Sequence, residues 1–159
     1  YAQLIVEAAD AQGFEGSLLG SDTWDDNMVI ESAKGRDVEI YVTTFYQEGG
    51  SPEFDNGIKD YINDNSEALA ANGGNDTISA VTAMGYDAYF VALEAMKKAD
   101  SADKAALMKI LPSVTYTGVS GAIAFDEVGD AVRDTAYIKT ANTADGTWVL
   151  ETVQTGSAS

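Results

Sequence analysis

An α/β fold is predicted, with a parallel sheet early in the chain and antiparallel strands at its end. Residues 2–44 alternate helical and strand patterns, which is the rhythm of a parallel sheet with crossover helices. A long helical stretch over residues 77–98 follows, and the chain closes with three strand patterns between 119 and 153. No internal repeat is present.

Residues 2–12 read as a helix because Leu4, Ile5, Ala8 and Ala9 share one face and Gly13 follows as a stop. Ser17 to Gly20 reads as a short buried strand. A second helix is expected from Asp25 to Lys34, closed by Gly35. Residues 38–44 alternate and are β-branched, so they read as a strand. Ser51, Pro52 and Glu53 open the next helix with a capping hydroxyl, a proline in the first turn and an early acid. That helix is expected to reach about residue 65, and the Asn72–Asn75 run, with Gly73 and Gly74, breaks the chain.

In the 77–98 helix, Val81, Met84, Ala88, Val91 and Ala95 recur at three-four spacing, with Phe90 and Leu93 on another side. Burial over much of its circumference is expected, and Asp87 within it then needs a partner. A short helix over 102–111 ends at Pro112. Strands follow at 119–125, 133–141 and 147–153, with turns at Asp126–Asp130 and Asp145-Gly146. Residues 154–159 read as a disordered tail.

Composition narrows the function. The chain has 159 residues, enough for a real core, and 45% are hydrophobic. Acids number 26 against 9 basic residues, a formal charge of −17. The charge, and basic residues that form no stripe, argue against nucleic acid and anionic membrane surfaces as partners. There is no Cys and no His, which removes thiol chemistry, the usual zinc ligand sets and histidine general bases. No cofactor or metal is expected, because the Asp-x-Asp-x-Asp-Gly spacing of a calcium loop is missing around Asp22, Asp25 and Asp26. Gly73-Gly74 lacks the lysine of a phosphate cradle. Tyr1 opens directly in a helical pattern without a Met, so preceding residues are expected in a longer parent.

Several segments in collinear order resemble the second half of type I periplasmic solute-binding proteins of the branched-chain amino acid and amide type. Leu19-Gly20-Ser21-Asp22-Thr23-Trp24-Asp25 resembles the family's Gly-x-Asp-x-Trp-Asp segment. Val42 to Tyr46, Gly85 to Ala88, Gly118 to Asp126 and Thr147 to Leu150 resemble later family segments. The resemblance covers roughly residues 2–153. It implies pieces of a three-layer α/β sandwich that lacks its N-terminal half. It also implies two lobes, with residues 1–45 and 132–153 in the second and 47–128 in the first. Hinges would lie near 45–50 and 126–133. A fragment of this kind is expected to cover its exposed apolar faces by pairing with a second copy as a homodimer.

Asp22 is the leading site candidate, because it follows a core strand at the end where open α/β sheets bind ligands. The resemblance implies that it meets a ligand ammonium group; a helix N-cap is the structural alternative. Trp24 reads as a cleft wall or as packing, with Thr23 between them. Tyr1, Tyr46 and Val81 are further candidates for a ligand-facing position, with simple packing the alternative for the last two. Asp25 and Asp26 read as first-turn acids of the second helix.

The resemblance implies a non-enzymatic, extracytoplasmic component of an ABC importer, delivering an amino acid to a membrane permease, with a signal sequence in its precursor. Alternatives are a ligand-sensing domain on the same fold, an amide- or carboxylate-binding protein, and an enzyme working with paired acids.

Overall fold

The computed structural model describes residues 1–156. Helix α1 (Ala2–Ala11) leads into β1 (Ser17–Gly20), a 3-10 turn (Asp22–Trp24), α2 (Asn27–Ala33) and β2 (Glu39–Thr44). Four helices follow: α3 (Pro52–Asp64), α4 (Ser66–Ala71), α5 (Ala80–Ala99) and α6 (Lys104–Ile110). The chain ends in β3 (Tyr116–Gly118), β4 (Gly121–Phe125), β5 (Ala131–Val132), β6 (Thr135–Asn142) and β7 (Thr147–Thr155). The last strand therefore includes Gln154 and Thr155 of the expected tail, and residues 157–159 lie outside the described residues.

Two sheets form. The larger has the order β1-β2-β6-β7, with β1 and β2 parallel and the other pairs antiparallel. The smaller joins β3, β4 and β5, all antiparallel. Because side chains alternate along a strand, the register places Ile40, Val42, Lys139 and Trp148 on one face of the larger sheet. Helices α1 and α2 cover that face: Val6, Val29 and Ala33 pack with Ile40 and Val42, and Leu18, Trp24 and Trp148 close the edges. Leu19, Tyr41, Thr43, Thr140 and Val149 lie on the opposite face, and none of them is buried. Two layers of the expected sandwich are thus present around this sheet among the described residues.

α1 differs from expectation in which face it buries. Val6 is fully buried, whereas Leu4 and Ile5 are exposed. Helix α5 is likewise buried along one stripe only, at Ala80, Ala83, Asp87, Val91 and Ala95. Of its other large apolar residues, Val81, Tyr86, Tyr89 and Met96 are exposed, while Met84, Phe90 and Leu93 are half-buried. One end of α5 packs with Tyr46, Phe54 and Ile78, and the other with Val114, Ile123 and Phe125 of the smaller sheet.

Local signals act as the sequence suggests at some termini and not at others. Pro52 sits in the first turn of α3 with Glu53 and Asp55 behind it, but the Ser51 hydroxyl makes no capping bond. Asp26 caps α2 by accepting from the Met28 N–H at 2.8 Å. Asp126 organises the β4–β5 turn, its Oδ1 accepting from the Val128 and Asp130 N–H groups. No described helix is long and apolar enough to cross a membrane.

Candidate functional site

β1 ends at Gly20, and the chain turns sharply because Trp24 folds back over that glycine. A Cβ on Gly20 would lie 2.6 Å from the Trp24 ring. The turn carries Asp22 beyond the C-terminal end of a parallel strand, the end where open α/β sheets place ligands. Asp22 is half-buried, and among the described residues its carboxylate has no hydrogen-bond partner or salt bridge. Capping of α2 falls to Asp26. The turn rests against the start of α5, where Val81 is exposed. Thr23 is exposed and shares a 3.0 Å hydrogen bond with the Ser21 hydroxyl.

The structure separates the remaining candidates. Trp24 is half-buried and packs on the core of the larger sheet. Tyr1 is fully exposed and borders an apolar groove along α1 with Leu4, Ile5 and Phe14. Tyr46 is 2% exposed and donates its hydroxyl to Asp55 Oδ1 at 2.6 Å. Its ring meets Phe54 edge-on at 5.6 Å. Burial, then the Asp55 carboxylate, pushes its phenol well above the ordinary range, so it stays neutral. Tyr46, two positions beyond the end of β2, is a core residue, the packing alternative of the sequence reading.

The same turn is held by Asp25 and Asn27. Asp25 lies before α2 rather than in its first turn, and it is 2% exposed. Its Oδ2 accepts from the Thr44 hydroxyl at 2.7 Å and the Ala80 N–H at 3.2 Å. Lys139 donates to the same oxygen at 2.9 Å and to Oδ1 at 3.1 Å. Asn27, also buried, donates to the Asn72 and Thr77 carbonyls, and Gly73 packs against it. Asp25 and Asn27 thus fasten the segment after β1 to the start of α5. One signal for this pair was readable: Lys139 falls on the inward phase of β6, where a charge requires a partner.

A second buried acid, Asp87, holds the β3–β4 turn. It accepts from the Val119 and Ser120 N–H groups at 2.9 and 2.8 Å, and from the Ser120 hydroxyl. This is the partner that its position in a packed helix demands. Glu48, at the passage out of β2, accepts from the Ile78 N–H at 3.2 Å and pairs with Lys59. That pairing raises the Lys59 ammonium above its ordinary pKa, chiefly through the Glu48 hydrogen bond. Among the described residues no group of three or more acids is placed to hold a metal ion.

No protein-family profile matches the sequence, and no curated protein does. Solved structures do. The leucine-binding protein LivK of Thermotoga maritima superposes with a TM-score of 0.69 at 27% identity, over 97% of this chain and 41% of that one. The fold is part of the type I periplasmic binding protein fold. An ABC transporter substrate-binding protein of Desulfitobacterium hafniense matches at 26% identity and a TM-score of 0.59, over 92% of this chain and 39% of that one. Its complex with leucine matches at 25% identity and a TM-score of 0.58, with the same coverage. The chain spans about 40% of the length of these structures. It is therefore similar to leucine-binding and ABC transporter substrate-binding proteins, which are binding proteins by their descriptions.

Proposed function

We propose that this chain forms part of the extracytoplasmic solute-binding component of an ABC importer, one that captures a small zwitterionic amino acid for a membrane permease. The observation that carries the reading is Asp22: a half-buried carboxylate beyond the C-terminal end of a parallel strand, beside the start of α5, with no partner of its own among the described residues. The N-cap alternative is weakened because Asp26 does the capping. Likeness to a leucine complex supports an amino-acid ligand. In this reading residues 1–45 and 132–153 form one lobe and 47–128 the other, and the ligand lies between them. Thr23 and Trp24 share the turn of Asp22, Val81 lies at the start of α5 against which that turn rests, and Tyr1 stands apart at the head of α1. Parts of the fold that this chain does not span supply the remaining contacts.

The ammonium of such a ligand requires a negative partner once water is excluded, and Asp22→Asn keeps the shape while removing the charge. We expect a loss of about 2–5 kcal/mol, which is a thirtyfold or greater drop in affinity, roughly. Calorimetry on the protein and this variant, with a panel of amino acids, measures it. Unchanged affinity would show that Asp22 is not the ammonium partner. Tight binding of a ligand without an amino group would redirect the reading to amides or carboxylates.

A further inference from the structure

Helix α2 belongs to the body built on the larger sheet, where Val29 and Ala33 are packed. Its first residue, Asn27, is 6% exposed. Among the described residues, however, the Asn27 side chain makes no hydrogen bond within that body. Its amide NH₂ donates to the Asn72 carbonyl at 2.9 Å and the Thr77 carbonyl at 3.2 Å. Both carbonyls belong to the loop between α4 and α5, which leads into a separate core around Phe54, Ile78 and Ala80. Gly73, at φ +77°, brings the loop backbone against Asn27, and a Cβ there would lie 3.2 Å from the Asn27 Cβ. Capping of α2 asks nothing of Asn27, because Asp26 does it.

The loop that receives Asn27 is held together by its own side. Asn72 Nδ2 donates to the Asn75 and Thr77 carbonyls at 2.8 and 3.0 Å, and Asn75 Oδ1 accepts from the Thr77 N–H. Asp76 is tied to Lys59 and Asn63 of α3. Without Asn27 the Thr77 carbonyl keeps Asn72 as its donor. The Asn27 bonds are therefore bonds between two bodies, not part of the folding of either. Asn27 is also coupled to Asp22 through the backbone. The Asp25 N–H donates to the Asp22 carbonyl at 3.1 Å and the Asp26 N–H to the Trp24 carbonyl at 2.8 Å, so residues 22–26 form one hydrogen-bonded turn that ends at Asn27. Asp25 crosses to the Ala80 N–H as well, but it is bound to Thr44 and Lys139 of its own sheet.

We propose that Asn27 is a positioning residue: it holds the turn that carries Asp22 at a fixed spacing from the start of α5, and so sets the width of the space beside Asp22. A buried amide NH₂ between two carbonyls is a directional plug, since turning the amide over would set three oxygens against one another. Without it the two bodies exchange between the arrangement described and a wider one. A solute that needs the former then binds in proportion to its population. That consequence for affinity rests on the amino-acid reading of Asp22; the control of the spacing does not.

The chain has no cysteine, so a pair of nitroxide labels can be placed without background. Ala11→Cys on α1 and Ala88→Cys on α5, both exposed, each take one label. Double electron–electron resonance reads the distance between them. Asn27→Asp keeps the shape and sets an oxygen against the two carbonyls, while Asn27→Ala removes the donors and adds no charge. We expect one narrow distance in the unaltered chain and a second, longer one in both variants, under conditions where circular dichroism shows helix and strand intact. Amino-acid affinity should fall in step with the longer population: with about one molecule in ten left in the described arrangement, binding is about tenfold weaker. Asp22→Asn should instead weaken the solute and leave the distance unchanged, so a failure of the Asp22 reading shows separately. A single, unchanged distance in both Asn27 variants overturns the proposal, whatever Asp22 does. So does loss of structure with no second distance, which would make Asn27 a residue of the fold alone.

Discussion

Lys139 and Asp25 sit 114 positions apart in sequence and meet with side chains 4% and 1% exposed. Two charges removed from water this completely hold each other only through near-ideal geometry and further hydrogen bonds, here from Thr44 and Ala80. Removing one partner strands the other. Lys139→Met should therefore destabilise the chain by about 3–5 kcal/mol, read as a lower urea midpoint at unchanged slope. Adding Asp25→Leu should recover much of that loss, because the uncompensated charge goes with it. If the double variant is no more stable than the single one, burial of an unpaired Asp25 is not the cause. Sequence placed Asp25 in a helix, since a run of acids before a helical pattern looks like a first turn. The helix begins two residues later than that, at Asn27, and the shift changes Asp25 from a solvated acid into a buried one. Tyr46 takes the packing role that the sequence left open for it, because the alternation along β2 continues one step past its end.

Helices and strands with strong periodicity were legible, with ends within a few residues. Those set by tertiary contacts were not. α4 is six residues long and β3 is three, too short to show a period. The face that a helix buries was also harder to read than its existence. α5 has apolar residues around much of its circumference, yet only the Ala80–Ala95 stripe is fully buried, with Met84, Phe90 and Leu93 half-covered. Glycines make the element scale testable in both directions. Gly118 closes β3 against Asp87, and a Cβ there would lie 2.2 Å from a carboxylate oxygen. Gly118→Ala should cost about 1–3 kcal/mol by overpacking, more if the Asp87 bonds to Val119 and Ser120 are lost. Gly57, inside α3, has nothing within 4 Å of its would-be Cβ. Gly57→Ala should stabilise by about 0.5–1 kcal/mol through helix propensity. Thermal melts of the two variants should move apart; equal shifts would mean that the close approach at Gly118 relaxes freely.

Across the whole molecule, 26 acids face 9 basic residues. A net charge of −17 works against compactness through self-repulsion. Sodium chloride shortens the range of that repulsion to about 8 Å at physiological strength and about 3 Å at 1 M. The surface pairs, such as Lys97 with Glu94, contribute little and lose little. Screening should therefore raise the melting midpoint, by roughly 2–4 °C for each kcal/mol relieved. A midpoint that falls as salt is added would show that the ion pairs outweigh the repulsion. At this scale the α/β rhythm and the antiparallel end were readable from pattern alone. The open face of the larger sheet was not, because a strand's alternation says which residues share a side and not what covers them.

The chain passes between the two sheets at two places, and Arg133 joins them. Its guanidinium lies 5.0 Å from the centre of the Phe45 ring and also donates to the Ser120 carbonyl at 2.9 Å. One strand clamped at one point can swivel in any direction; two clamped side by side define a line. We would expect any movement of one sheet against the other to turn about that line. Asp25 and Asn27 bond to the residues around the start of α5, so such a turn would have to break those bonds first.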